Sequence, residues 1–175
     1  VLLKSLMQGV DGSNLLTEAG RVPLRTIQKA VLQSELIGIP ARLQDAILEA
    51  REVLSATKDP QIADAVLDRY YYDEMFELAA RVGSAFLEGY VRVSIDTANL
   101  RSIIRTARIG KGVEFLRTML FSGGNIDVNR IVETVASGAS LEDFYSTTVL
   151  REAAAAGVAA LQDGGLTRFE KLCDD

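Results

Sequence analysis

Histidine is absent from this 175-residue chain. The commonest general base and the commonest metal ligand are therefore missing, and with them every Ser-His or Cys-His nucleophile pair. Most hydrolase mechanisms and most zinc sites are excluded, and neither a metal nor a cofactor is expected. Tryptophan is also absent, and cysteine occurs once, at Cys173. A lone cysteine makes no internal disulfide, which points away from a stapled secreted scaffold and toward a reducing cytoplasm. No apolar run approaches the roughly 18 residues that a membrane span requires, the longest covering 153–161. The chain starts at Val1 without a signal-peptide pattern and reads as an excerpt of a longer polypeptide.

Positive charge is also in short supply. Nineteen Lys and Arg stand against 24 Asp and Glu, 19 − 24 = −5, so no overall positive field attracts a phosphate backbone and nucleic acid is an unexpected partner. What remains is apolar: 48% hydrophobic and 25% charged residues are globular proportions, enough for one domain or two small ones.

Proline is the third scarcity, and its three positions are informative. Pro23, Pro40 and Pro60 each stand where a helix would begin, the last behind Asp59 as a natural N-cap. Between them apolar residues recur three and four apart, as in Leu24, Ile27, Val31 and in Leu43, Ile47, Leu54, while strand-like alternation is missing. The pattern predicts an all-α fold with helices near 2–9, 14–20, 23–36, 40–57, 60–82, 84–109, 111–122, 127–137 and 140–162. Phe86, Tyr90, Val93, Thr97, Leu100, Ile104 and Ala107 form a stripe along one side of the longest of them. That helix should act as a central strut.

Glycines fall between these segments and read as helix ends and turns. Gly110-Lys111-Gly112 superficially resembles a phosphate loop, but the residues after Lys111 are Gly112 and Val113, where a Walker loop needs a hydroxyl for magnesium. Nucleotide binding is not expected there. An internal repeat is visible at an offset of about a hundred residues. Leu3-Lys4-Ser5-Leu6-Met7 resembles Leu100-Arg101-Ser102-Ile103-Ile104; Gly20 to Leu24 with Ile27 resembles Gly124 to Val128 with Ile131; Asp64, Leu67 and Asp68 return as Glu170, Cys173 and Asp174. The implied organisation is the last part of one helical lobe at 1–60, a whole lobe at 61–166 and the start of a third at 167–175.

Polar residues offer few chemical constellations. Asp68, Asp73, Glu74, Glu77 and Asp96 could supply a carboxylate pair for general acid and base work, although nothing in the spacing brings two together, and helix-surface polar pairs explain them more simply. Asp96-Thr97-Ala98-Asn99 places a carboxylate and an amide on one helix face beside the apolar stripe. Buried, such groups must be hydrogen-bonded, so they should form a satisfied network fixing how two long helices cross. Arg101, Arg105 and Arg108 share a face near a helix C-terminus, suited either to solvent or to an acidic partner. Tyr70-Tyr71-Tyr72 cannot all face inward, and a wet-edged tyrosine such as Tyr70 suits a protein interface. Cys173 has no setting that marks it as reactive and is expected to be a small buried apolar side chain.

Taken in order, these residues resemble a family. Asp68-Arg69-Tyr70-Tyr71 with Glu74-Met75 and Leu78-Ala79, Gly83-Ser84-x-Phe86-Leu87-x-x-Tyr90, Arg92-Val93-x-Ile95-Asp96-x-x-Asn99-Leu100 with Arg105, Phe115-Leu116 and Gly123-Gly124-x-Ile126 look like the central part of the C subunit of archaeal and bacterial V-type rotary ATPases, a relative of the d subunit of the vacuolar enzyme. About a dozen positions match across 61–135. The resemblance implies Asp68, Tyr71, Phe86, Tyr90, Asp96, Asn99, Arg105, Gly123 and Gly124 as structural motif positions. It also implies a non-catalytic, three-lobed helical rotor part, peripheral at the cytoplasmic face of the membrane. Its partners would be the central shaft and the membrane proteolipid ring, with no nucleotide bound directly. Two competing readings are a helical hydrolase or lyase built on Asp68, Asp73 and Asp96, and a free-standing helical-repeat scaffold.

Overall fold

A computed structural model describes the backbone of residues 1–175 and every side chain but that of Asp163. Among the described residues there is helix and no strand, as the periodicity predicts. The chain divides into two compact units, Val1–Tyr71 and Tyr72–Asp175.

The first unit holds α1 (Leu2–Gln8), α2 (Leu24–Gln33), α3 (Ala41–Thr57) and the first half of α4 (Pro60–Val82). The prolines do what their fixed φ and missing N–H suit them for. Pro23 and Pro40 immediately precede α2 and α3, and Pro60 opens α4, where the Asp59 carboxylate accepts the Gln61 N–H at 2.9 Å. The inward faces of these helices bury Leu3, Ala30, Val31, Ile47, Ala50, Leu54, Ala63 and Val66 in one cluster, with Ile39 of the α2–α3 connection.

The second unit takes the rest of α4 and adds α5 (Ala85–Arg108), α6 (Val113–Thr118), α7 (Val128–Ser137), α8 (Leu141–Tyr145), α9 (Arg151–Asp163) and α10 (Thr167–Asp174). Its core gathers Leu100, Ile103 and Ile104 of α5 with Leu116, Ile131, Tyr145, Leu150, Ala153, Ala154 and Phe169. Side-chain caps define several starts: Ser84 accepts from Leu87 N–H, Asp127 from Asn129 and Arg130 N–H, and Ser140 from Asp143 N–H. Gly110, with φ +68°, ends α5, and Gly112 precedes α6, so the apparent phosphate loop is a helix-to-helix turn.

Four expected boundaries move, three because a side chain competes with helical hydrogen bonding and one because the backbone turns left-handed. The segment 14–20 is only a 3-10 turn at Ser13–Leu15, where Asp11 captures the Ser13 N–H and hydroxyl. α2 stops at Gln33 because Ser34 turns left-handed at φ 61° and the Glu35 N–H returns to the Lys29 carbonyl. α6 is short because the Phe121 N–H goes to Asn99 instead of into a further turn. The expected helix at 140–162 breaks after Tyr145, whose carbonyl accepts both the N–H and the hydroxyl of Thr148. α10 is a complete two-turn helix in place of a bare starting turn. The long stripe is also divided: Thr97, Leu100 and Ile104 are buried, whereas Phe86 (79%) and Tyr90 (59%) stand in solvent and the inward line at that end is carried by Val91 and Ile95.

Two mid-helix glycines separate backbone cost from packing. A Cβ at Gly157 of α9 would lie 2.8 and 2.9 Å from Ile104 side-chain atoms and 3.1 Å from the Phe169 ring, whereas at Gly89 of α5 it would meet nothing within 4 Å. Gly89→Ala should therefore raise stability by up to about 1 kcal/mol through helix propensity. Gly157→Ala should lower it by about 1–2 kcal/mol, because overpacking a site with no slack outweighs the same propensity gain. Urea unfolding midpoints check both, and equal effects at the two positions would refute the close-packing argument.

Candidate functional site

Two polar clusters on α5 concentrate the residues singled out by the sequence. In the first, Asn99 is fully buried and treats Phe121 as a backbone partner: its Nδ2 donates to the Phe121 carbonyl at 2.9 Å, and its Oδ1 accepts the Phe121 N–H at 2.8 Å. One turn earlier Asp96, 4% exposed, receives three N–H donors. Asn125 N–H and Asn125 Nδ2 reach its Oδ2 at 2.9 Å each, and Ile126 N–H reaches Oδ1 at 3.1 Å. Thr97 satisfies its own hydroxyl on the Val93 carbonyl. The network is complete, as a buried carboxylate and amide require. It does not fix a crossing of two long helices as expected; it fastens α5 to the loop between α6 and α7.

The two glycines of that loop have distinct reasons to be glycine. Gly123 has φ +98°, a conformation side chains rarely adopt. Gly124 passes so close to Asp96 that any Cβ would collide with its carboxylate. Asp96, Asn99, Gly123 and Gly124 are thus one assembly. Asn125 and Phe121, which complete it, carry no mark in the sequence; no helical period identifies a loop residue as the partner of a helix side chain.

The second cluster joins α5 to α10. Arg101 Nε meets Glu170 Oε2 at 3.0 Å, Arg105 meets Glu170 Oε1 at 2.8 Å, and Arg101 also pairs with Asp174. Arg101 and Arg105, expected to serve solvent or a partner, are bound within the chain, and Arg108 lies exposed one turn on. The (i, i+4) spacing of Glu170 and Asp174 matches that of Arg101 and Arg105, so the complementarity is legible in the sequence once the two helices are known to meet. Cys173 sits beside this cluster, half-buried against the core rather than fully enclosed. Burial first, with the nearby Arg101 pulling the other way, leaves its thiol pushed up to about 11.

The remaining predicted positions do not converge on these clusters. Tyr70 donates its hydroxyl to Glu49 Oε2 at 2.9 Å in the first unit, and Arg69 pairs with Glu49 there at 2.5 Å. That hydrogen bond and the Glu49 charge raise the Tyr70 phenol above its ordinary range. Asp68 and Tyr71 are exposed on α4. Tyr72 packs against the Phe121 ring at 5.2 Å, Asp73 is exposed, and Phe86 and Tyr90 project from the start of α5. A recess at the start of α9, lined by Ser146, Thr148, Arg151 and Glu152, contains none of Asp68, Asp73 or Asp96. Among the described residues no cluster of three metal-ligating side chains occurs, and no helix is long and apolar enough to cross a membrane.

The model of the ATP synthase (C/AC39) subunit family matches residues 1–175. The chain belongs to that family. It is also similar to the C subunit of the V-type sodium ATPase of Enterococcus hirae, with 25% identity over 149 residues. The match covers 85% of this chain and 45% of that protein, so the chain spans about half the length of the relative. No solved structure matches. For this C/AC39 family member, then, the residues read as motif positions in the sequence divide between an internal clamp, an ion pair to α10 through Arg105, and an exposed surface.

Substitution separates the buried clamp from the exposed face. Asp96→Asn keeps the shape but removes the charge and turns an NH2 toward N–H donors, so it should cost about 2 kcal/mol of unfolding free energy, within the range for charged hydrogen bonds. Asp73→Asn on the exposed face should stay within about 0.5 kcal/mol. Denaturant titration distinguishes the two. For Cys173, at pH 8 iodoacetamide should modify the folded chain about a hundred-fold more slowly than the urea-unfolded chain, from the thiolate fractions at pKa 11 and 9.0. The folded thiol holds its proton more tightly than the unfolded one, so its stabilising contribution is present below the unfolded pKa and is lost as pH rises toward 11. Similar rates in the two states would contradict the burial of this thiol.

Proposed function

We propose that this chain is part of a non-catalytic rotor subunit of a V-type ATPase, an adaptor that seats on the membrane proteolipid ring at its cytoplasmic face and receives the central shaft. The observation that carries the reading is the family match along the whole of residues 1–175. The relationship to a protein named as the C subunit of a V-type sodium ATPase supports it. In this reading the chain contributes lobes at 1–60, 61–166 and 167–175, repeated copies of one helical plan.

The polar chemistry agrees with an adaptor. Both oxygens of Asp96 are taken by N–H donors, so this carboxylate serves packing rather than proton transfer. Such a part works through broad surfaces and stiffness rather than through a pocket. Phe86 and Tyr90, and Leu78 and Val82 of α4, are exposed large side chains, the two aromatics having the character of interface anchors. Arg108 adds an exposed cation on the same helix.

The test is assembly. The full-length protein, mixed with purified central-shaft subunits or with the detergent-solubilised proteolipid ring, should co-elute with each on size exclusion. Absence of a complex with both would overturn the adaptor reading. Phe86→Ser with Tyr90→Ser should weaken one of those complexes by about ten-fold, a typical loss for interface anchors, with the unfolding midpoint unchanged.

A further inference from the structure

The two units share more than a helical character. α2 and α7 each have ten residues; their N-cap residues are Pro23 and Asp127, and their left-handed C-caps are Ser34 and Gly138. The separations, 127 less 23 and 138 less 34, are both 104. Left-handed Lys58 and Gly164 end α3 and α9, 106 positions apart (164 less 58), and the core positions of the helices that follow keep that offset. Ala63 and Phe169 are both buried, and Val66 and Leu172 both pack on their unit's core. At the other end, Leu3 of α1 and Leu100 of α5 are each buried in those same cores.

On this framework the cation after each leucine finds the carboxylate after each buried partner. Lys4 Nζ meets Asp64 Oδ2 at 2.5 Å, and Arg101 Nε meets Glu170 Oε2 at 3.0 Å. We propose that these are one clasp occurring twice, an ion pair that ties a helix of one lobe, α1 or α5, to the first turns of the helix that opens the next, α4 or α10. The proposal rests on the lobe reading but is independent of ring and shaft binding.

The geometry explains why the clasp lies where it does. Each pair spans a large sequence separation, 69 residues for Arg101 and Glu170. In each copy the leucine and the buried partner belong to one apolar cluster, Leu3 with Ala63 and Val66, and Leu100 with Phe169. Apolar packing supplies most of the attraction and is tolerant of sliding; a charge pair with one partner on each helix is not. The copies differ in strength. The Lys4–Asp64 side chains are 42% and 43% exposed, those of Arg101 and Glu170 only 25% and 29%, and the second copy adds Arg105 and Asp174. Its greater burial and larger network make it the firmer of the two.

Amide hydrogen exchange on the full chain, read by mass spectrometry, tests this. Lys4→Glu and Asp64→Lys should each speed exchange in α1 and in the first two turns of α4 by about three-fold, in the range for a surface ion pair. Lys4→Glu with Asp64→Lys together should return exchange to within about two-fold of wild type, because the reversed pair can re-form. Lys4→Arg with Asp64→Glu, which copies the second clasp's chemistry, should leave exchange at or below the wild-type rate. Glu170→Gln should speed exchange in α10 by more than either single change does in α1, about five-fold or more. If the charge reversal fails to recover protection, or if Glu170→Gln leaves α10 unchanged, the clasp is an incidental surface contact. A loss of shaft or ring binding with exchange as expected would count against the adaptor reading alone.

Discussion

Asn99 occupies a position where it must find both a donor and an acceptor inside the protein or leave them stranded. A buried amide without partners costs on the order of a few kcal/mol, and Phe121 is the residue that removes that cost. To present its N–H and carbonyl to Asn99, the chain has to leave helical geometry after α6, and this ends that helix early. Asp96 then imposes a second condition one turn away, since its carboxylate needs N–H groups and the loop supplies three. Gly123 and Gly124 are what allow the backbone to meet both demands at such close range. α7 starts with Asp127 as its cap immediately after that loop and carries Ile131 and Val132 into the interior.

The rest of the second unit builds on this arrangement. With α5 anchored, Ile104 presents a surface that α9 can approach only where Gly157 has no side chain, and Phe169 of α10 closes over the same spot. Burial and the negative charge of Asp96 push the Tyr145 phenol upward, and its hydroxyl has no hydrogen-bonding partner among the described residues. The ring itself is fully enclosed in the core of the second unit.

Much of this architecture is legible in the sequence because helices report themselves through period and through their ends. Proline at the starts and the three-and-four spacing locate α2, α3, α4 and α5 to within a few residues. The failures have a common cause. At 14–20, 119–122 and 146–150 the apolar content suggests helix, but Asp11, Asn99 and Thr148 divert backbone groups, and that competition depends on contacts a linear pattern does not contain. The candidate residues divide in the same way. Asp96 and Asn99 are identifiable as a buried polar pair from their place beside an apolar stripe, whereas their partners lie 22 to 30 positions away in a loop. The stripe itself misleads at its N-terminal end, because Phe86 and Tyr90 keep the period of a packed face while facing solvent.

The distribution of polar contacts bears on what such a molecule suits. Apolar packing alone holds helices together without fixing their register, because one ridge can slide against another at modest cost. A buried amide bonded to one particular backbone residue removes that freedom, since any slide leaves four polar groups unpaired at once. The clamp therefore resists axial displacement of α5 against the following loop, and the paired arginines resist it against α10. Resistance to sliding is what an element must have if force applied at one surface is to emerge at another. That is the physical reason the adaptor reading fits this chain better than a reading that asks its carboxylates to move protons.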